Sequence, residues 1–304
     1  VSNSKKIFIA GGTGFIGVNL ANRLRRSGHA VTVMGQRSDR PPSLDPAVSV
    51  IAADGRKPGP WQNEVRESSL VINLAGASIF GRWTERHKTL LRESRILTTR
   101  HIVDALSGDS GGATLFSTSA VGYYGFQGDE VLSEDSAPGD DFLARLCRDW
   151  ELEASKARDK GGRVVITRFG LVLGSNGGVL GQMLPLFRYG LGGPIGDGRQ
   201  WFSWVHMEDL LGAFAFLLEY PVASGPFNLT APAPVRNGDL ARSLGEVLHR
   251  PAFMAAPAPL VRLFLGEFGS VILQGQRVMP ARLVQSGYEF RHGAVTEALE
   301  NIVG

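Results

Sequence analysis

Apolar positions along the chain alternate between two textures. Short runs of four to eight apolar residues are followed by stretches in which apolar residues recur every three or four positions. Ile7 to Ala10 is the first run and ends in glycines. Ile16, Leu20 and Leu24 then recur at helical spacing, Gly28 and His29 break the pattern, and "AVTVMG" is a second run. This unit of about 30 residues has the size of a strand–helix–strand crossover. "VSVIAAD", "SLVINLAG", "ATLFSTSA" and "RVVITRFGLVLG" read as strands three to six. "WTERHKTLLRESRILTTRHIVDAL" and "FLARLCRDWELEASKARDKG" read as helices between them. Strands alternating with helices predict an α/β fold: a Rossmann-type doubly wound parallel sheet with a smaller C-terminal substrate lobe.

After Gly174 the texture changes. "SNGGVLGQMLPLFRYGLGGPIGDGRQ" is glycine-rich and irregular. "WFSWVHMEDLLGAFAFLLEY" then predicts a strand and a helix with Asp209 near its N-cap, "GPFNLTAP" another strand, and "VRNGDLARSLGEVLHRP" a helix opening near Asn237. The expected division is a dinucleotide-binding domain over 1–174, joined again by about 203–230. Segments 175–202 and 231–304 form the smaller lobe.

Composition narrows the function classes. The 304 residues are 43% hydrophobic and 20% charged, enough to bury one large core or two smaller ones. Cys147 is the single cysteine, so no disulfide forms within the chain and no zinc site is built from several thiolates; no metal is expected. The net charge of +3 is spread along the chain without a dense basic block, and nucleic acid is not an expected partner. "VSNSKKIFIAGG" does not read as a signal peptide, and apolar runs such as "LLGAFAFLLEYPV" fall short of the roughly 20 residues of a membrane span. A cytoplasmic location is the expectation.

"GGTGFIG" follows the first strand and opens the first helix. It holds Gly-x-Gly-x-x-Gly from Gly12 and Gly-x-x-Gly-x-x-Gly from Gly11. Glycines there permit a tight turn and close approach of backbone N–H groups to a pyrophosphate, which the helix N-terminus also attracts. Gly11, Thr13, Gly14, Phe15, Ile16 and Gly17 are therefore the first cofactor-binding candidates. Strand two ends in "VMGQRSDR", without the acid that would hold the ribose of NAD(H). Gln36 and Arg37 stand there instead, with Arg40 nearby, and arginine pairs with a 2′-phosphate. NADP(H) is expected over NAD(H). Asp54 is a candidate for the adenine amino group or an ordinary turn residue.

"GGTGFIG", "NLAG", "STSAVGYYG", "RFGLVLG", "WVHMEDL" and "GPFNLT" come in the order of the extended short-chain dehydrogenase/reductases, and the whole chain resembles them. More narrowly it resembles the YfcH-like, nucleotide-sugar epimerase-like branch. The resemblance implies that Leu74, Ala75 and Gly76 line the cofactor after strand four and that Ser117 ends strand five beside the nicotinamide. It implies that Ser119 is the catalytic serine and that Phe169 and Gly170 form the loop near the carboxamide. Arg168 is either part of that cofactor site or one half of a buried ion pair.

Typical members pair that serine with Tyr-x-x-x-Lys on the following helix, two residues one turn apart on one face. None of the five tyrosines here has lysine four positions later. The expected positions fall near Arg145 and Asp149. Proton transfer then passes to Tyr123 or Tyr124, with Tyr123 preferred, or to His206 or an acid from the substrate lobe, or is absent. A tyrosine with its ordinary pKa of about 10 needs a nearby cation for that work. Arg145 and Arg148 are the candidates, with Lys156 further off.

"GLGGPIGDGRQWFSWVHMEDL" lies where relatives bind substrate. Gln200, Trp201, Phe202 and Trp204 are candidates for a wall, and Arg82, Trp83 and Arg95 for residues facing the same cleft; the aromatics read equally as core. His206 and Asp209 read as a tie between the lobes before they read as catalysts. Arg199, Arg236, Arg277 and Arg282 are candidate diphosphate clamps. The sequence thus predicts an NADP(H)-dependent oxidoreductase or epimerase, monomer or homodimer, acting on a small molecule, with a nucleotide sugar among the candidates. The competing expectation is an NADP(H)-sensing or scaffold protein that has lost the chemistry.

Overall fold

The computed structural model describes residues 4–106, 113–175 and 177–304. Asn176, inside the glycine-rich stretch, lies outside them. The central sheet has seven parallel strands: β1 (Lys6–Ala10), β2 (Ala30–Gly35), β3 (Ser49–Ala52), β4 (Leu70–Asn73), β5 (Thr114–Ala120), β6 (Val164–Phe169) and β7 (Gly225–Leu229). Their order across the sheet is β7-β6-β5-β4-β1-β2-β3. Side chains alternate across a strand, so a sheet covered on both faces needs apolar residues at every position. β1 meets that requirement from Ile7 to Ala10. Ile7 and Ile9 pack with helices α1 (Phe15–Arg26) and α6 (Met207–Glu219); Phe8 packs on the other face with α2 (Gln62–Glu67) and α3 (Glu85–Ala105). α4 (Phe142–Ser155) lies beside α3 on that second face.

Side-chain caps fix where the helices begin. Thr84 accepts the N–H of His87 (3.2 Å) at the start of α3, and Asp141 accepts that of Ala144 (2.9 Å) at the start of α4. Each cap contributes about 1 kcal/mol.

The sixth predicted strand is two. The chain leaves the main sheet at Gly170, and Leu171–Leu173 pairs with Trp204–His206 in a separate two-stranded sheet. Close packing explains the exit: a Cβ on Gly170 would lie 2.7 Å from the Ser203 carbonyl oxygen. Beyond it, α5 (Gly178–Arg188), α7 (Asn237–Val247) and the terminal helix Val295–Val303 build a second core around Trp204, Leu240 and Leu299.

The order reverses between β1 and β4. β2 and β3 lie on one side, β5, β6 and β7 on the other, and a doubly wound sheet opens its ligand crevice outside the strand ends at that point. The "GGTGFIG" turn, Leu74–Gly76, Ser117–Ser119 and Phe169–Gly170 all follow or end strands at that edge.

Candidate functional site

The β1–α1 turn is built by glycines with different reasons. Gly11 has a left-handed φ of 74°, and a Cβ there would sit 2.9 Å from the backbone of Leu74 and Ala75. Gly17 lets α1 pack on the turn, since its Cβ would lie 2.5 Å from the Gly11 carbonyl oxygen. Gly14 is exposed and stands as the N-cap of α1 with no side chain satisfying the first-turn N–H groups. No acidic residue occupies that turn. The uncapped helix start is a ready anion site, so the turn fits a dinucleotide pyrophosphate. Phe15 fits by backbone only: its ring packs under Gly174, Gly177 and Gly178. Ile16 packs against the core. Thr13 fills the space over Gly35. Across the crevice, buried Asn73 donates to Thr99 Oγ1 (2.8 Å) and accepts the Ala75 N–H (3.1 Å), fixing the loop through Leu74, Ala75 and Gly76.

Beyond β2, Gln36 and Arg37 are exposed. Arg40 is committed to the loop behind, donating to the carbonyls of Asp45 and Val48. Arg37 is left free among the described residues to meet a phosphate. Asp54 is paired with Arg56 (2.7 Å), whose hydrogen bonds hold the carboxyl below the ordinary carboxylate value.

At the end of β5, Ser117 and Ser119 are buried and their hydroxyls have no hydrogen-bond partner. Buried polar atoms are rarely left so. Cys147 of α4 lies beside Ser119 without satisfying it. Burial pushes the Cys147 thiol up to about 11, Glu151 adds to that push, and Ser119 and Arg95 oppose it. One turn earlier on α4, Leu143 packs on Gly122, whose Cβ would come within 3.3 Å of the leucine Cβ. The residues that α4 turns toward the serine strand, four apart, are therefore Leu143 and Cys147. This corrects the expectation of Arg145 and Asp149. Arg145 is exposed and donates to the Asp140 carbonyl, and Asp149 pairs with Arg92 (2.5 Å).

The two tyrosines separate. Tyr124 is fully buried; its hydroxyl donates to Asn228 Oδ1 (2.6 Å) and accepts from Arg168 (2.9 Å). Burial pushes its pKa up to about 12, although Arg168 and Asn228 work the other way. A sealed, hydrogen-bonded phenol does not fit the proton-transfer role expected of it. Tyr123 is half-buried, with its ring under the Arg168 guanidinium. Arg168 itself is buried and paired with both oxygens of Glu151 (2.8 Å each). It forms the buried ion pair of the two readings, and its other hydrogen bonds go to the Tyr124 hydroxyl and the Glu134 carbonyl (3.4 Å). Phe169 turns its ring onto Phe214 in the core, and Gly170 packs on Ser203, so these two offer the cofactor backbone alone.

In the C-terminal part, two guanidinium groups lie near the Trp201 ring, Arg236 (3.8 Å to the ring centre) and Arg277 (4.6 Å). Asp129 bonds to both the Trp201 indole (2.8 Å) and Arg236 (2.6 Å). Trp83 and Trp204 are buried in packing, Trp83 against Phe142 and Phe268. His206 is the N-cap of α6: its Nδ1 accepts the Glu208 N–H (3.1 Å), and Asp209 stands in the first turn, near the cap as expected. Asp209 accepts the N–H groups of Arg291 (2.8 Å) and His292 (2.9 Å), tying the C-terminal segment to α6. His206, Glu208 and His292 bring three ligand-type atoms within 4.8 Å of one another. With Nδ1 accepting, the neutral His206 ring carries its proton on Nε2. It therefore has no lone pair to give a metal from that nitrogen.

The NAD dependent epimerase/dehydratase family model matches residues 7–229, and a domain of unknown function (DUF1731) matches 256–302. An epimerase family protein from Arabidopsis thaliana, described as an SDR39U1 homolog and chloroplastic, is 40% identical over 300 residues, covering 98% of this chain and 86% of that protein. The crystal structure of human epimerase family protein SDR39U1 with NADPH superposes with a TM-score of 0.85 at 32% identity, covering 97% of this chain and 98% of that one. A UDP-glucose 4-epimerase from Thermotoga maritima, solved with UDP-glucose, shares the fold at 17% identity and a TM-score of 0.76, covering 97% of each chain. Among the described residues no helix is long and apolar enough to cross a membrane.

Proposed function

Because the chain belongs to the NAD-dependent epimerase/dehydratase family, we propose that it binds NADP(H) and carries out hydride transfer on a small carbonyl or hydroxyl compound. The observation that carries this reading is the unpartnered, buried Ser119 hydroxyl on the strand edge that the glycine turn also shares. The turn N–H groups and the start of α1 hold the pyrophosphate, Leu74–Gly76 approach by backbone, and Arg37 pairs with the 2′-phosphate. When bound, the cofactor supplies or accepts hydride at nicotinamide C4. Ser119 donates its hydrogen bond to the substrate oxygen, and Tyr123, the accessible member of the pair, handles the proton. Segments 1–174 and 203–230 serve the cofactor; 175–202 and 231–304 serve the substrate. Arg236 and Arg277 around Trp201 favour an anionic substrate, with a nucleotide sugar as the leading class.

A second reading has its own support. Leu143 and Cys147 on α4 supply neither the phenol nor the ammonium of Tyr-x-x-x-Lys, which favours a protein that senses or carries NADP(H) without turnover. Oxidation of bound NADPH across a panel of carbonyl compounds and nucleotide sugars separates the two. Turnover that falls at least about 100-fold in Tyr123→Phe supports the enzyme. Absence of turnover with every compound, and unchanged NADPH binding in Tyr123→Phe, supports the sensor.

A further inference from the structure

The helix that bears the lysine in typical relatives has a cysteine in its place, yet a cation reaches the same neighbourhood from another helix. Arg95 projects from α3 toward the loop after β4. Its guanidinium donates to the carbonyls of Leu91 (3.0 Å) and Ala77 (3.2 Å) and lies 5.3 Å from the Trp150 ring centre. It occupies the space a side chain at position 76 would take: a Cβ on Gly76 would be 3.0 Å from Arg95 Cζ. Burial works against its charge. No carboxylate pairs with it among the described residues.

Taking a cation partly out of water without a counter-ion is costly. Tying the loop to α3 uses two of the five N–H donors of a guanidinium. The others make no hydrogen bond among the described residues and lie beside Gly76, in the loop after β4. The missing side chain at Gly76 lets the planar group lie against backbone.

We propose that Arg95 is the cation of the nicotinamide end of the cofactor site, donating to oxygen atoms of the nicotinamide-side ribose from α3 in place of a lysine on α4. This rests on the reading that the chain binds a dinucleotide, and the test keeps the two apart. Dissociation constants are measured for NADPH and for 2′-phosphoadenosine 5′-diphosphate, which keeps the adenine-side phosphates and lacks the nicotinamide riboside. Arg95→Gln keeps donors for the two carbonyls and removes the charge. NADPH is expected to bind it at least about tenfold more weakly, the truncated nucleotide to change less than about twofold, and Arg95→Lys to recover NADPH binding to within about threefold. Equal loss for both nucleotides, no loss for either, or an Arg95→Lys as weak as Arg95→Gln overturns the assignment. A wild-type chain that binds neither nucleotide overturns the dinucleotide reading itself. Should Arg95→Gln not fold, a crystal structure of the wild-type protein with NADPH decides. A guanidinium nitrogen within about 3.5 Å of a nicotinamide-ribose oxygen supports the assignment, and one turned away from the dinucleotide contradicts it.

Discussion

Arg168 Cζ lies 3.5 Å from the centre of the Tyr123 ring. The cation beside the tyrosine pair thus comes from β6, not from Arg145, Arg148 or Lys156. It is held by Glu151 of α4 and by the Tyr124 hydroxyl, so one buried guanidinium locks the ring of Tyr123, the hydroxyl of Tyr124 and the helix behind them into one arrangement.

Removing one member of a buried pair leaves the other charge uncompensated, at a cost of about 3–5 kcal/mol. Arg168→Met is expected to lower the urea midpoint by a corresponding amount. Where the variant still folds, its NADPH affinity is expected to stay within about threefold of wild type, under 1 kcal/mol. Isothermal titration on the folded fraction checks the second part. A selective loss of NADPH binding would return Arg168 to the cofactor site.

Tyr124→Phe deletes a hydroxyl that serves two buried partners, Asn228 and Arg168. The expected loss is about 1–3 kcal/mol. The pH dependence has a definite sign. The folded pKa of about 12 lies above the ordinary tyrosine value of 10.0, so the folded state holds its proton more tightly. That stabilisation is full below pH 10 and is lost as pH rises from 10 to 12. Denaturation of the wild type should therefore steepen with pH in that window, and Tyr124→Phe should be flatter, as followed by circular dichroism.

On the acid side the relevant ring is His206. Burial, and then the neighbouring His292, hold its pKa below the ordinary 6.5, while Glu208 and Asp209 oppose them. The unfolded chain then binds the proton more readily, so this contribution is present above pH 6.5 and is lost as pH falls below it. His206→Asn keeps an acceptor at the start of α6 and removes the titration. Thermal denaturation between pH 5 and 7 is expected to depend less on pH in that variant.

Arg37 is the third kind of test, because it bears on cofactor choice alone. Hydrogen bonds to a charged group contribute about 1.5–3 kcal/mol. Arg37→Ala is expected to weaken NADPH by roughly tenfold or more while NADH binding stays where it was. Competitive titration of the two dinucleotides gives the ratio directly.

The central sheet was legible because buried parallel strands leave uninterrupted apolar runs, as in Leu70–Ile72, and because the glycine turn follows the first of them. The split at Gly170 was hidden: "RFGLVLG" reads as one apolar run, and the reason for its break is the Ser203 carbonyl, 33 positions later in the chain. The site was legible where backbone makes it and less so where side chains do. Helical spacing alone did not fix which face of α4 turns inward, so Arg145 and Asp149 were expected where Leu143 and Cys147 stand. Adjacent tyrosines look equivalent in sequence, but the short 3₁₀ turn Val121–Tyr124 buries one and leaves the other half-open. Arg95 was a cleft candidate among others; only its position over Gly76 and its lack of an acid partner single it out.

The most direct test of the account is a titration of the purified wild-type chain with NADPH and with NADH, followed by calorimetry or by the nicotinamide fluorescence. The account expects NADPH to saturate one site per chain and to bind at least about tenfold tighter than NADH, the margin a single arginine–phosphate contact supplies. Binding of neither dinucleotide, or tighter binding of NADH, contradicts it.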